Sequence, residues 1–184
     1  LINANTEVSK SIANDKFSED AVKYYEEAIA IDSSKKDAYI KLLDYYIRMG
    51  QTQNGVDKLN DYIAMGKGKK NSDVTMTLAK IYFNGTTYDS SFSVDYANAT
   101  KYYAMADKNK YPEAKYYEKL AMTLSEFSSS IDWEEVSGIL QEFEEYTDNI
   151  NQDINQIDNY ISLAKVYIAN KNYFTKDTDV YDLA

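Results

Sequence analysis

Cysteine and histidine are both absent from the 184 residues, proline and tryptophan occur once each, and Arg48 is the sole arginine. Without cysteine there are no disulfides, no thiolate nucleophile and no cysteine-ligated zinc or iron–sulfur centre. Without histidine there is no serine or cysteine triad of the usual kind and no imidazole metal ligand. Long hydrophobic runs are missing as well. No apolar stretch approaches the roughly 20 residues that span a bilayer, so direct membrane insertion is not expected. Positive charge is scarce: 20 basic against 30 acidic residues give a formal charge of -10. Such a field repels phosphate backbones and anionic lipid, which argues against nucleic acid and for a neutral or basic partner. The one basic cluster, Lys67, Lys69 and Lys70 around Gly68, lacks the spacing of a phosphate-binding loop and reads as a solvated loop. The opening Leu1-Ile2-Asn3-Ala4-Asn5 has no initiator methionine, basic region or apolar core of a targeting segment. The chain is therefore expected to be a piece of a longer protein, and its location stays open.

What is present is a helical pattern. Apolar residues recur at three- and four-residue spacing, broken by short Gly, Asn, Asp and Ser clusters, and strand alternation is nowhere sustained. The spacing predicts helices over about 18–31, 36–49 and 54–65, the last two stopped by Gly50 and Gly66 at positive φ. A fourth runs from an N-cap at Ser72 or Asp73 to Asn84-Gly85, and a fifth spans about 94–108 after a loop at 86–93. Pro112 fits the first helical position of a sixth, which ends near Leu124. After a break at Ser128-Ser129-Ser130, Asp132 can cap a seventh. Asp153 or a neighbour opens an eighth, with Ile157, Tyr160, Ile161, Leu163, Ala164 and Tyr167 inward, and one short helix can follow in 170–184. Ile31 is expected at the inner end of the first.

Two half-patterns alternate along this order. Leu78-Ala79-Lys80-Ile81-Tyr82 returns as Leu163-Ala164-Lys165-Val166-Tyr167, with weaker copies at Leu42-Leu43-Asp44-Tyr45-Tyr46 and Leu120-Ala121-Met122-Thr123-Leu124. Small, aromatic and small residues at offsets of four and three recur as Ala21, Tyr25, Ala28 and as Ala99, Tyr103, Ala106. A small residue lets a partner helix approach, and an aromatic fills the space between neighbouring units. In this the chain resembles the tetratricopeptide repeat family, whose unit is a helix-turn-helix. Its middle unit, through Leu78-Ala79, Tyr82, Gly85, Asp95, Ala99, Tyr102-Tyr103 and Ala106, is similar to the Sel1-like variant. Leu43 departs from the pattern where a small residue is usual, and Gly55 where alanine is.

The resemblance implies an all-α fold, a right-handed α-solenoid of antiparallel helix hairpins. It is expected as a single domain over 1–184 with about four and a half units. It further implies a concave face lined by the first helix of each unit. Aligning the units places Asp44, Arg48, Met76, Lys80, Phe83, Asn84, Glu118, Met122, Ile161 and Lys165 on that face. The Lys and Asn clamp by which some family members hold a terminal carboxylate has no counterpart here, which disfavours chaperone C-termini as ligands.

The doublets Tyr24-Tyr25, Tyr45-Tyr46, Tyr102-Tyr103 and Tyr116-Tyr117 are expected to send one ring into the core and leave the other along a groove or seam. The pairs Glu26-Glu27, Glu134-Glu135 and Glu144-Glu145 cannot converge on one bond from adjacent helix positions, so they read as solvated faces. The Asn- and Asp-rich stretch 148–158 lacks the central glycine and terminal glutamate of a calcium loop. The expectation is a non-enzymatic interaction or scaffold module without cofactor or metal, binding a peptide or partner domain. Lys, Asn, Tyr and Ile richness points to a bacterial origin, and the resemblance implies a place in a larger signalling or regulatory protein. Self-assembly through the terminal units is the alternative, because a stack of repeats must cap its last apolar face. Carbohydrate binding through tyrosines and carboxylates is a third reading.

Overall fold

The computed structural model describes residues 19–66, 71–125, 131–150 and 154–174. The chain is all-α: among the described residues every regular element is a helix. Residues 1–94 and 95–184 form two compact units. Their boundary falls inside the middle repeat read from the sequence, between Gly85 and Asp95. The basic cluster at 67–70, the serine break at 128–130, Asp153 and residues 175–184 lie outside the described residues.

The first unit holds α1 (Glu19–Ile31), α2 (Lys36–Arg48), α3 (Thr52–Ala64) and α4 (Ser72–Asn84). Gly50 ends the α2 turn at φ 68°, and an added Cβ there would lie 3.3 Å from the Tyr88 carbonyl oxygen. Asn71, rather than Ser72 or Asp73, caps α4, its side chain accepting from the Asp73 N–H. α3 begins two residues earlier than expected and has no cap from its own Gln51. Its first N–H, that of Thr52, donates instead to Asp89 Oδ2 at 2.9 Å.

The two departures from the repeat pattern meet across the α2–α3 seam. A Cβ on Gly55 would stand 2.8 Å from both Cα and Cδ1 of Leu43, closer than real atoms approach. Leu43, 2% exposed, fills the room that the missing side chain leaves. Large and small have exchanged sides, so the seam volume is kept. Tyr25, Ala38, Leu42 and Tyr46 form the core between α1 and α2. Lys58 reaches Glu26 at 2.9 Å between α3 and α1, and Lys36 pairs with Asp73 between α2 and α4. Exposed pairs of this kind contribute only about 0–1 kcal/mol each, but they record which helices lie side by side.

The second unit holds α5 (Tyr96–Met105), α6 (Ala114–Leu124), α7 (Trp133–Asp148), α8 (Ile154–Ala169) and the single turn α9 (Lys171–Phe174). Asp95 caps α5 by accepting from the Asn98 N–H at 2.9 Å. The chain leaves the helix at Ala106, in extended geometry with ψ 145°, short of the expected Lys108. Pro112 stands not at the first helical position but in the preceding turn, where Ala114 N–H donates to the Tyr111 carbonyl at 3.0 Å. Asp132 caps α7 as expected, taking the Glu134 and Glu135 N–H groups at 3.0 Å. Aromatic rings join three helices: Tyr103 stacks on Tyr117 at 5.0 Å, and Tyr117 meets Phe143 edge-on at 4.7 Å.

Two expectations about helix phase are corrected. Ile31, the last residue of α1, is 87% exposed rather than inward. In α8 the inward residues are Asn159, Ser162, Leu163 and Val166, whereas Ile157, Tyr160, Ile161 and Ala164 face solvent and Tyr167 is half-buried. Of the tyrosine doublets, Tyr24-Tyr25 and Tyr116-Tyr117 split between core and seam as expected. Both rings of Tyr45-Tyr46 and of Tyr102-Tyr103 are buried.

Two glycines within helices provide a matched test. Gly55 faces Leu43, while an added Cβ on Gly138 meets nothing within 4 Å. Gly138→Ala should raise stability by about 0.5–1 kcal/mol through helix propensity. Gly55→Ala should lower it by about 1–3 kcal/mol through overpacking, despite the same propensity gain. Urea unfolding of the two variants checks this, and equal shifts of one sign would refute the close α2–α3 approach.

Candidate functional site

The expected face residues of the first unit lie on α2 and α4. Asp44 projects into solvent and Arg48 is half-buried, its Nε lying 3.4 Å from Asp44 Oδ1 one turn away. The loop after α4 returns to this place. Its Tyr88, 62% exposed, lies under Arg48, with the guanidinium carbon 6.0 Å from the ring centroid. An exposed carboxylate, a guanidinium and an aromatic face are thus gathered on one side of the unit. Lys80 and Asn84 are half-buried on α4, and the Asn84 Oδ1 is enclosed without a hydrogen-bond partner. Met76 and Phe83, both 3% exposed, are core residues and do not line a surface. The motif alignment misplaced them because every position of α4 between Val74 and Phe83 except Thr77, Lys80 and Ile81 is buried.

Asp89 fixes the loop. It is 6% exposed and accepts from the Thr52 N–H at 2.9 Å, the Ser91 hydroxyl at 2.6 Å and the Ser91 N–H at 3.1 Å. These donors, the Ser91 hydroxyl first, hold its carboxyl down at about 2 against an ordinary 3.8. Nothing in the sequence pattern singled out Tyr88 or Asp89, since a polar loop of Thr, Ser and Asp carries no periodicity.

In the second unit the expected residues fall on α6 and α8. Glu118 is half-buried and bonded to Lys108 at 2.7 Å. Met122 is 54% exposed, Ile161 is 51% exposed and Lys165 is open to solvent. The two helices are tied underneath by a buried polar contact: the Tyr117 hydroxyl donates to Asn159 Oδ1 at 3.0 Å, with both residues at 0% exposure. Ser162, 4% exposed, bonds the same hydroxyl and Glu113, 2% exposed, lies near it. Burial pushes the Tyr103 and Tyr117 hydroxyls well above the ordinary value of 10.0, so both remain protonated donors. Glu113, Asn159 and Ser162 were missed by sequence reasoning, which assigns isolated polar residues to solvent.

Beside this face, Tyr116, Glu142, Glu145, Tyr146 and Asn149 line an open depression of about 400 Å³ between α6 and α7. Tyr116 and Tyr146 lie 5.0 Å apart, and Lys115 Nζ sits 4.5 Å over the Tyr116 ring. Among the described residues, no group of three or more carboxylates could hold a metal ion. None of the described helices is long and apolar enough to cross a membrane. The Glu26-Glu27 pair diverges, Glu26 bonding Lys58, and Glu134 and Glu135 occupy the first turn of α7.

Two measurements check the supports of these surfaces. A carboxyl held below its ordinary value adds stability that is complete above that value and is lost as the pH falls through the folded one. For Asp89 that window runs from 3.8 down to about 2. Asp89→Asn should therefore lower Tm at neutral pH and flatten the fall in Tm over that acid window, and an unaltered curve would contradict the tether. Tyr117→Phe leaves a buried acceptor unmet and should destabilise the chain by about 1–3 kcal/mol in urea unfolding. A neutral result would remove the α6–α8 tie. Comparisons with protein-family models, curated proteins and solved structures find no match to this chain.

Proposed function

We propose that the chain is a non-enzymatic interaction module. In this reading its helices continue as a right-handed α-solenoid of tetratricopeptide- or Sel1-like hairpins, and the first-helix face receives a peptide or partner domain. The module belongs to a larger bacterial signalling or regulatory protein. Within each unit, side-by-side placement of alternate helices supports the stacking: α1 with α3 and α2 with α4 through ion pairs, and α6 with α8 through Tyr117 and Asn159.

The observation that carries the binding role is the pair Met122 and Ile161. Two large apolar side chains, each more than half exposed, stand on helices that a buried hydrogen bond holds together. Glu118 and Lys165 flank them. Isolated exposed hydrophobics are ordinary, but two on tied helices, each with a charged residue one turn away, have the composition of a docking surface. The net charge of -10 selects a neutral or basic partner.

Phage-displayed peptides selected on the whole chain test this. Selected sequences should be poor in Asp and Glu, and Met122→Glu should weaken them by about tenfold or more while Tm stays within about 2–3 °C. Met76→Ala, at a core position, should instead lower stability by about 2–5 kcal/mol. Selected peptides that bind Met122→Glu as well as the parent chain would defeat the assignment.

A further inference from the structure

α8 carries more apolar surface than its own unit covers. Its inward stripe is Asn159, Ser162, Leu163 and Val166. The opposite side carries Ile157 at 61% exposure, Ile161 at 51% and Ile168 at 70%, with the exposed Ala164 between them. At 3.6 residues per turn, positions 157, 161, 164 and 168 fall in one seam along the helix. The side of α8 facing its own unit is thus the more polar one, and the side facing solvent holds three isoleucines. A helix apolar on both sides is normally buried on both.

We infer that a second copy of this chain covers the seam, with the two α8 helices antiparallel about a two-fold axis. This rests on the interaction reading above and names the occupant of its α8 portion. The seam is symmetric about its own midpoint. In antiparallel register Ile157 meets Ile168 of the other copy, and Ile161 meets its Ala164, large against small, twice over. The flanking charges agree with the same register. Asp158 and Lys165 are both exposed, lie on one side of the seam and are seven residues apart. They occupy equivalent flanking positions, which face one another across an antiparallel pair, so each Asp158 meets a Lys165 of the other copy. A parallel two-fold pairing would instead carry these residues to opposite sides of the seam, with no Asp158–Lys165 contact. Self-complementarity in both shape and charge is what an isologous contact requires. An acidic or basic peptide would satisfy one of the two charges and oppose the other. One helix face is a small area, so the association is weak and concentration-dependent.

Sedimentation equilibrium of the whole chain from about 10 μM to about 1 mM tests the inference. The parent chain should pass from monomer to dimer, and Ile161→Glu should remain monomeric with Tm unchanged at low concentration. Asp158→Lys and Lys165→Asp should each weaken the dimer by about tenfold, and the double exchange should restore it. Restoration is the decisive arm, because loss of fold cannot produce it. A parent chain monomeric throughout overturns the inference. If Ile161→Glu then also lowers Tm, another part of the same chain occupies the seam. A dimer indifferent to Ile161→Glu overturns it equally. A parent chain that stays monomeric leaves peptide binding at Met122, on α6, to be read by its own variant, whereas a dimer that forms takes Ile161 out of that surface.

Discussion

Two helices come close only where one of them has almost no side chain, and the packing of this chain depends on that constraint. Ala21, Ala38, Ala79, Ala99, Ala114 and Ala121 are all at 0% exposure. Beside them sit Tyr25, Tyr103, Tyr117, Leu42, Leu78 and Leu120, among the largest fully buried side chains. A seam needs one of each, and its volume rather than its identity is conserved when they change sides. Leu43 against Gly55 is the extreme case, where the small partner has lost even its Cβ.

From that packing follows the placement of polar groups. Ion pairs on the rim, such as Lys58 with Glu26, add little energy but fall between alternate helices. In the second unit the same job is done inside, by a tyrosine hydroxyl and an asparagine cut off from water. Such a contact is worth more in specificity than in net energy, because any other helix phase leaves both groups unmet. It turns α8 so that Asn159 and Ser162 face inward and Ile157, Ile161 and Ile168 face out. An interaction surface here is the reverse side of a core constraint.

How much of this could be read from residues differs by element. Helices α1 to α4, the stops at Gly50, Gly66 and Gly85 and the cap at Asp132 were legible, since each has a periodic stripe or a residue with one conformational use. Met76 and Phe83 were misplaced on a surface because α4 is apolar over most of its circumference, which leaves periodicity little contrast. The α8 phase failed for the same reason, compounded by buried polar residues whose partner lies 42 positions away. Pro112 fits a helix start and a turn equally by its fixed φ, and the turn prevailed. Asp89 capping a helix 37 residues upstream has no local signature at all.

The central claim is that small residues set helix pairing, with Gly55 pressed on Leu43 as its clearest instance. A carbon-edited nuclear Overhauser spectrum of the isotope-labelled chain measures that approach directly. The account predicts a strong cross-peak between the Leu43 δ-methyl protons and the Gly55 α-protons, consistent with a Cβ at that position lying 2.8 Å from Leu43 Cδ1. Absence of that cross-peak, with both residues otherwise assigned and folded, would contradict it.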